Sequence, residues 1–236
     1  MTAELLIYAL VAAGLIFWLR SILGTRNEDE PQRPIPHLDI DKDGKMIDLN
    51  VGEDKAALIE ELANTPRGNM LIGGKSAQSG LESVIEADKN FDIYVFLQAA
   101  QDAFVFVVES FADGDRETLQ DLLSPQVFAA FDEAITARED AKETMQAEIQ
   151  AVKKSEVIEA RVEGKMALIT VRFWADERTV TKDENQNIIS GHPDKTTVMR
   201  DVWTFSRDVK SRDPRWLVVE TREDGIEDNE TIPNTH

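Results

Sequence analysis

The spacing of apolar residues changes near residue 147 from a helical repeat to a strand-like alternation. Upstream, one stripe recurs mostly at intervals of three or four positions, and it comprises Leu97, Ala100, Phe104, Val107, Val108 and Phe111. Downstream, alternating segments separated by polar turns cover residues 155–162, 165–180, 187–209 and 215–222. Helices followed by strands on short connections are typical of an α+β fold. The sequence therefore predicts helices on one face of a four-stranded antiparallel sheet.

The second of these strand segments is apolar on both of its faces. One face carries Ala167, Ile169, Val171 and Phe173, and the other carries Met166, Leu168 and Trp174. A strand that is apolar on both faces is usually covered on both sides. This segment is therefore predicted to be the central strand of the sheet.

Capping signals predict where the helices begin and end. Asn90 is expected to cap a helix that begins at Phe91 and ends at Gly114. A short helix is expected over residues 115–123. Ser124 followed by Pro125 predicts the start of a third helix, because proline suits the first helical position. That helix is expected to turn Val127, Phe128, Phe131 and Ile135 toward the core.

An uncharged run of fifteen residues, 5–19, lies near the N-terminus. Its most apolar members are Leu5, Leu6, Ile7, Leu10, Val11, Leu15, Ile16, Phe17, Trp18 and Leu19. With its flanks the stretch spans roughly 30 Å as a helix, about the thickness of a bilayer core. Basic Arg20 and Arg26 follow the run, which is the reverse of a cleaved signal peptide. A core helix is a weaker alternative, because a polar linker follows.

The sequence therefore predicts a transmembrane anchor over residues 1–26, with everything after it on the cytoplasmic side of the membrane. An acidic, partly disordered tether is predicted over 27–80, the globular domain over 81–223 and a polar tail over 224–236. Within the tether, the pattern indicates a hairpin at 39–50, a short amphipathic helix with Leu58, Ile59 and Leu62 on one face, and a Gly-rich connector at 67–80.

Composition excludes several classes of function. The chain has 26 basic and 45 acidic residues, a net charge of −19, so we expect no nucleic-acid partner. It has no cysteine and three histidines, which leaves little for thiol catalysis or a Cys-type zinc site. His192 lies in a polar turn without a second ligand at metal-binding spacing. No cofactor or metal is predicted.

Two binding motifs are incomplete. Asp39, Asp41 and Asp43 match the first half of a calcium loop, but its last position is Asn50 instead of a bidentate glutamate. Gly74-Lys75-Ser76 ends like a phosphate-binding loop, but the earlier glycine is out of register and no buried strand precedes it. The first segment is better interpreted as a hairpin turn, and the second belongs to the Gly-rich connector, where no nucleotide binding is expected.

Two stretches, 91–135 and 201–221, resemble the C-terminal domain of mitochondrial inner-membrane translocase subunit 44 and its membrane-anchored bacterial relatives of TimA type. The residues that carry the resemblance are Phe111-Ala112, Gly114-Asp115, Leu119, Leu122-Leu123-Ser124-Pro125, Trp203-Thr204-Phe205, Arg207-Asp208, Ser211-Arg212-Asp213-Pro214 and Trp216. Ala99, Val105 and Leu217 depart from the family pattern, where glycine, an acid and lysine are usual. Such departures affect packing or a partner surface.

The resemblance implies a curved, helix-covered antiparallel sheet of nuclear-transport-factor-like (cystatin-like) type with an apolar pocket. It also implies a non-enzymatic adaptor that binds a membrane protein, a translocation or assembly factor, or a nascent chain. The candidate pocket or partner-surface residues are Phe104, Phe111, Phe173, Trp174, Trp203, Phe205 and Trp216. The alternative is a pocket that binds a lipid, acyl chain or other small molecule, or an enzyme in which Asp201 and Asp208 act as general acid and base.

Overall fold

The computed structural model describes residues 51–224, which form a mixed α+β fold. Its helices are α1 (Val51–Asn64), α2 (Gly74–Ala87), α3 (Ile93–Asp113), α4 (Arg116–Leu122) and α5 (Pro125–Asp140). Its strands are β1 (Met70–Ile72), β2 (Thr144–Glu163), β3 (Met166–Lys182), β4 (Ile188–Gly191), β5 (Thr197–Asp208) and β6 (Leu217–Glu223). The predicted anchor at 1–26, the hairpin at 39–50 and most of the polar tail lie outside the described residues.

The sheet has six strands in the described part of the chain, so the prediction of four strands is wrong. Its order is β1-β2-β3-β5-β6, with β4 paired to β3. One extra strand arises because residues 187–209 are interrupted by a turn that separates β4 from β5. The other is β1, which runs parallel to β2 and is too short, at three residues, to give a periodic signal.

The prediction of a central strand is confirmed by β3, which pairs with β2 on one side and β5 on the other. On the face toward the helices, the side chains of Ala167, Ile169, Val171 and Phe173 are fully buried. Three register shifts interrupt the pairing of β2 with β3. Such bulges bend a strand and increase its twist.

The long helix α3 begins two residues later than the sequence predicts. Asp92, and not Asn90, is its N-cap, and the Asp92 carboxylate accepts hydrogen bonds from the backbone N–H groups of Tyr94 and Val95. The predicted end is confirmed, because Gly114 adopts a left-handed conformation with φ of 73°. Ser124 likewise caps α5 through the N–H of Val127.

The segment 67–80 is not only a Gly-rich connector, because it contains β1 and the first half of α2. Ile59 and Leu62 of the preceding α1 are buried in the same hydrophobic core as α2, α3 and the sheet. Gly80 explains how α2 approaches so closely, since a Cβ atom there would lie 1.9 Å from the carbonyl oxygen of Ala160 on β2. The glycine is therefore a packing requirement.

Helix α3 is the only described helix that is long and apolar enough to cross a membrane. Ten of its residues are buried against the sheet and the neighbouring helices, including Leu97, Phe104 and Val107. A core helix of a globular domain meets the same criteria of length and composition. We therefore describe α3 as the core helix on which the sheet packs.

Replacing Gly80 with alanine is expected to destabilise the domain by about 1–3 kcal/mol, because the methyl group overlaps the β2 backbone. Alanine is the better helix former, so a helix free of this contact would gain about 1 kcal/mol instead. Urea unfolding of the full chain followed by circular dichroism measures the difference. Ser79→Ala, at an exposed position of the same helix, is the control. Equal stability of Gly80→Ala and the parent would contradict the close packing of α2.

Candidate functional site

Four of the seven aromatic candidates lie together in the core. Phe104 of α3 stacks on Phe173 of β3 with ring centroids 4.6 Å apart, and it lies 4.9 Å from the ring of Trp203. Phe205 lies 6.4 Å from Phe173 on the next strand. At most 2% of any of these side chains is exposed. These rings therefore fill the space between α3 and the sheet.

Phe111 and Trp216 lie at two separate margins of this core. Phe111 packs edge-on against Phe131 of α5, with centroids 5.2 Å apart. Trp216 packs edge-on against Phe96 at 4.9 Å, near the start of β6. Both side chains are partly exposed. Phe111 joins α3 to α5, and Trp216 joins the segment before β6 to α3.

Trp174 lies on the opposite face of the sheet, away from the helices. The ammonium group of Lys154 is 4.1 Å from its ring centroid, and the Arg172 guanidinium is 5.7 Å away. Arg172 also forms ion pairs with Glu156 at 3.6 Å and with Asp224 at 3.0 Å. The seven predicted residues are thus distributed over the core, its margins and the outer face, and the structure does not bring them into one site.

Asp201 is a carboxyl group largely enclosed at the helix-covered face of β5. It accepts a hydrogen bond from the indole N–H of Trp203 at 3.0 Å. Burial raises the pKa of Asp201 to about 6, the Trp203 hydrogen bond opposes this shift, and the negative charges of Glu177, Glu223 and Asp224 add to it. The carboxyl is therefore poised to change charge near pH 6.

Asp208, the other predicted acid, does not lie near Asp201. The two residues are seven positions apart on β5, roughly 23 Å along the strand, and their side chains point to opposite faces. Asp208 pairs with Lys165 at 2.7 Å, and this hydrogen bond holds the pKa of its carboxyl below the ordinary value. The pair cannot act together on one substrate.

Arg207, one of the residues that carry the family resemblance, has a structural role. Its guanidinium pairs with the carboxylate of Asp88 at the end of α2 and lies 5.2 Å from the ring of Trp216. Both members of the ion pair are mostly buried. Arg207 therefore links β5 to the end of α2 and to the segment just before β6.

An open, mostly apolar groove runs along the outer side of α3. Its lining comprises Arg67, Gly68, Met70, Tyr94, Val95, Gln98, Ala99 and Asp102. Val95 is 67% exposed, and Phe106, further along the helix, is 55% exposed. They are two of the five large apolar side chains that are strongly exposed among the described residues, and both lie on one face of α3.

The second wall of the groove is fixed to the core by an amide network. The Asn69 side chain donates to the Gln101 amide oxygen at 3.0 Å and to the Val152 carbonyl at 2.9 Å. Gln101 in turn donates to the hydroxyl of the fully buried Ser155 at 2.7 Å. The chain from Arg67 to Met70 is therefore held in place beside α3.

The sequence interpretation did not identify this groove. A signal was present, since Val95 and Phe106 fall outside the apolar stripe that faces the core. Ala99, noted above as a departure from the family pattern, lines the groove. The placement of residues 67–70 beside α3 could not be predicted, because strand β1 was not predicted.

Comparison with known families decides the identity of the fold. The model of the Tim44-like domain matches residues 77–223, more than half of the chain. The chain belongs to the Tim44-like domain family. Among solved structures, it is similar to the intermembrane-space region of the chloroplast protein ARC6, with 16% identity and a TM-score of 0.37 over 54% of this chain and 95% of the other. A comparison with curated proteins gave no match.

Membership in the Tim44-like family carries a general functional assignment. These domains are non-catalytic, membrane-associated and related to protein translocation, and they interact with proteins and membranes. In the Tim44-like domain described here, the family-specific residues Arg207, Trp203 and Trp216 lie in or beside the core. They account for the fold, whereas the groove on α3 is open to solvent.

Asp201→Asn is expected to stabilise the domain at pH 7.5 by about 1–3 kcal/mol and to have progressively less effect as the pH falls below 6. The folded carboxyl binds its proton more tightly than the unfolded one, so the parent loses stability as the pH rises from about 4 to about 6. The amide removes the buried charge and can still accept from Trp203. Thermal unfolding from pH 4.5 to 8 measures the effect.

Asp208→Asn is the matched control, because the pKa of that carboxyl is lowered and no gain is expected at pH 7.5. A lower melting temperature for Asp201→Asn than for the parent at pH 7.5 would show that the charged carboxylate stabilises the fold.

Proposed function

We propose that this protein is a membrane-anchored, non-enzymatic adaptor at the cytoplasmic face of an inner membrane. It binds membrane proteins or nascent chains during protein translocation or membrane-protein assembly. The observation that carries the proposal is the coincidence of an N-terminal apolar run with a Tim44-like domain in one chain. A tether raises the local concentration of the domain at the membrane, so weak contacts suffice for binding.

The charge of the chain favours a protein partner over direct binding to lipid headgroups. A net charge of −19 repels the anionic cytoplasmic leaflet. We therefore assign membrane attachment to residues 5–19 and partner binding to the folded domain. As part of the same proposal, the protein is of the membrane-anchored bacterial TimA type, and its curved sheet is of the nuclear-transport-factor-like type.

An acyl-chain-binding or enzymatic role has less support. The four aromatic rings predicted to line a pocket contact one another in the core, and Asp201 and Asp208 point to opposite faces of the sheet. The raised pKa of Asp201 is explained by its burial among aromatic and acidic side chains. We therefore keep the adaptor as the single proposed function.

The anchor is tested with Leu10→Arg combined with Leu15→Arg in the full chain. Each arginine at the centre of a membrane helix costs about 2.5–3.5 kcal/mol, so this variant is expected in the supernatant after ultracentrifugation. The parent and the control Leu10→Ile with Leu15→Ile are expected in the membrane pellet and to resist carbonate washing. Parent protein found in the supernatant with residues 1–26 intact would refute the anchor.

The adaptor role is tested by crosslinking the parent and the arginine variant in cells, with purification from detergent. Membrane proteins or translocation factors crosslinked to the parent are expected to be lost with the arginine variant, because the domain leaves the bilayer. Identical sets of crosslinked proteins from both chains would contradict the proposal.

A further inference from the structure

One face of α3 is exposed, although the rest of the helix is the most deeply buried in the domain. Val95, Ala99, Asp102 and Phe106 follow each other at intervals of four, three and four residues, so they lie on one face. The face extends about 16 Å from Val95 to Phe106. All four are exposed, so the core of the domain does not require the apolar side chains of Val95 and Phe106.

The chain from Arg67 to Met70 lies beside this face and converts its first half into a groove. The Asn69, Gln101 and Ser155 network holds that wall without any partner present. A groove that is formed in advance loses little conformational entropy on binding. The surface is therefore suited to dock a structured segment.

The geometry of the groove favours a helix as its occupant. The backbone N–H and C=O groups of α3 are bonded within the helix, so the face offers side chains and few backbone partners. An extended peptide would leave its own backbone groups unpaired there. A second helix satisfies its backbone internally and places apolar side chains at matching intervals of three and four residues.

The charge of the groove favours a basic residue on that helix. Asp102 accepts a hydrogen bond from the neutral Gln98 amide at 3.1 Å and forms no ion pair with the described residues. Arg67, the cation at the other end, lies 4.8 Å from the ring of Tyr94, which already engages it. The overall charge of −19 attracts the same kind of partner.

We propose that the outer face of α3 docks an amphipathic helix of the partner protein, with apolar side chains over Val95 and Phe106 and a lysine or arginine beside Asp102. This inference rests on the proposed adaptor function and names the surface and the partner chemistry. A bilayer fits less well, because Asp102 would lose its hydration at an apolar, anionic surface. A second copy fits less well, because a two-fold contact brings the two Asp102 carboxylates together.

The test uses the full chain in phosphatidylcholine nanodiscs and two fluorescent peptides of 18 residues. Both peptides carry leucines at intervals of three and four residues, and they differ only in having lysine or glutamine at the centre of that face. Anisotropy gives the Kd, with empty nanodiscs measured in parallel. The parent is expected to bind the lysine peptide more tightly than the glutamine peptide.

Three variants separate the contributions to binding. Val95→Ser with Phe106→Ser is expected to raise the Kd of both peptides more than about tenfold, because the apolar contacts are lost. Asp102→Asn is expected to raise the Kd of the lysine peptide alone, by about two- to fivefold. Val198→Ser, at a 63% exposed apolar position on β5, is the control and is expected to bind like the parent. Unchanged melting temperatures confirm that the surface variants fold.

Equal binding by the parent and the double serine variant would overturn the inference. Equal anisotropy with empty nanodiscs would show that the peptides bind the lipid and not α3, which would also overturn the inference. A dimer of the parent that dissociates in the double variant would identify a second copy as the occupant. If the double variant still crosslinks the same membrane partners as the parent, the adaptor function stands and only this docking surface is wrong.

Discussion

The packing of α3 on the sheet through Phe104 is the interaction on which the rest of the structure depends. Its ring contacts Phe173 on the central strand and Trp203 on the neighbouring strand, so one side chain joins the helix to two strands. The remaining helices meet the same continuous core. Aromatic rings in such contact contribute area burial and a favourable geometry of about 0.5–1.5 kcal/mol for each pair. The groove lies on the other side of the same helix, and Asp201 accepts a hydrogen bond from the same Trp203.

Because α3 lies across the sheet, its two sides are in different environments. The inner side is closed by the sheet, and the outer side is left beside the short segment that leads into β1. Helix α3 carries more apolar surface than the core of the domain covers, so Val95 and Phe106 remain exposed to solvent. An acidic chain with one exposed apolar helix face is suited to the proposed role of holding a partner near a bilayer, and Tim44-like domains are non-catalytic.

The elements with strong local signals were predictable. Gly114 and Ser124-Pro125 mark the end of α3 and the start of α5 because their backbone preferences act within a few residues. The apolar residues on both faces of β3 identified the central strand. The start of α3 was misplaced by two residues, since Asn90 and Asp92 are both good caps and only the folded chain selects Asp92. Strand β1 was missed, because three residues between glycine-containing turns have no period and gain their structure by pairing with β2.

The sequence by itself determined the α+β class, the order of the principal helices and strands, and the family, because periodicity, caps and motif residues are local properties of the chain. Tertiary structure alone decided which aromatic residues meet. Phe173 and Trp174 are neighbours in sequence, yet one is buried under α3 and the other lies among cations on the opposite face, because successive residues of a strand alternate sides. The tertiary structure also decided the raised pKa of Asp201 and the groove beside α3. Both require segments far apart in sequence to come together, through the register of the strands and the close approach of the helices.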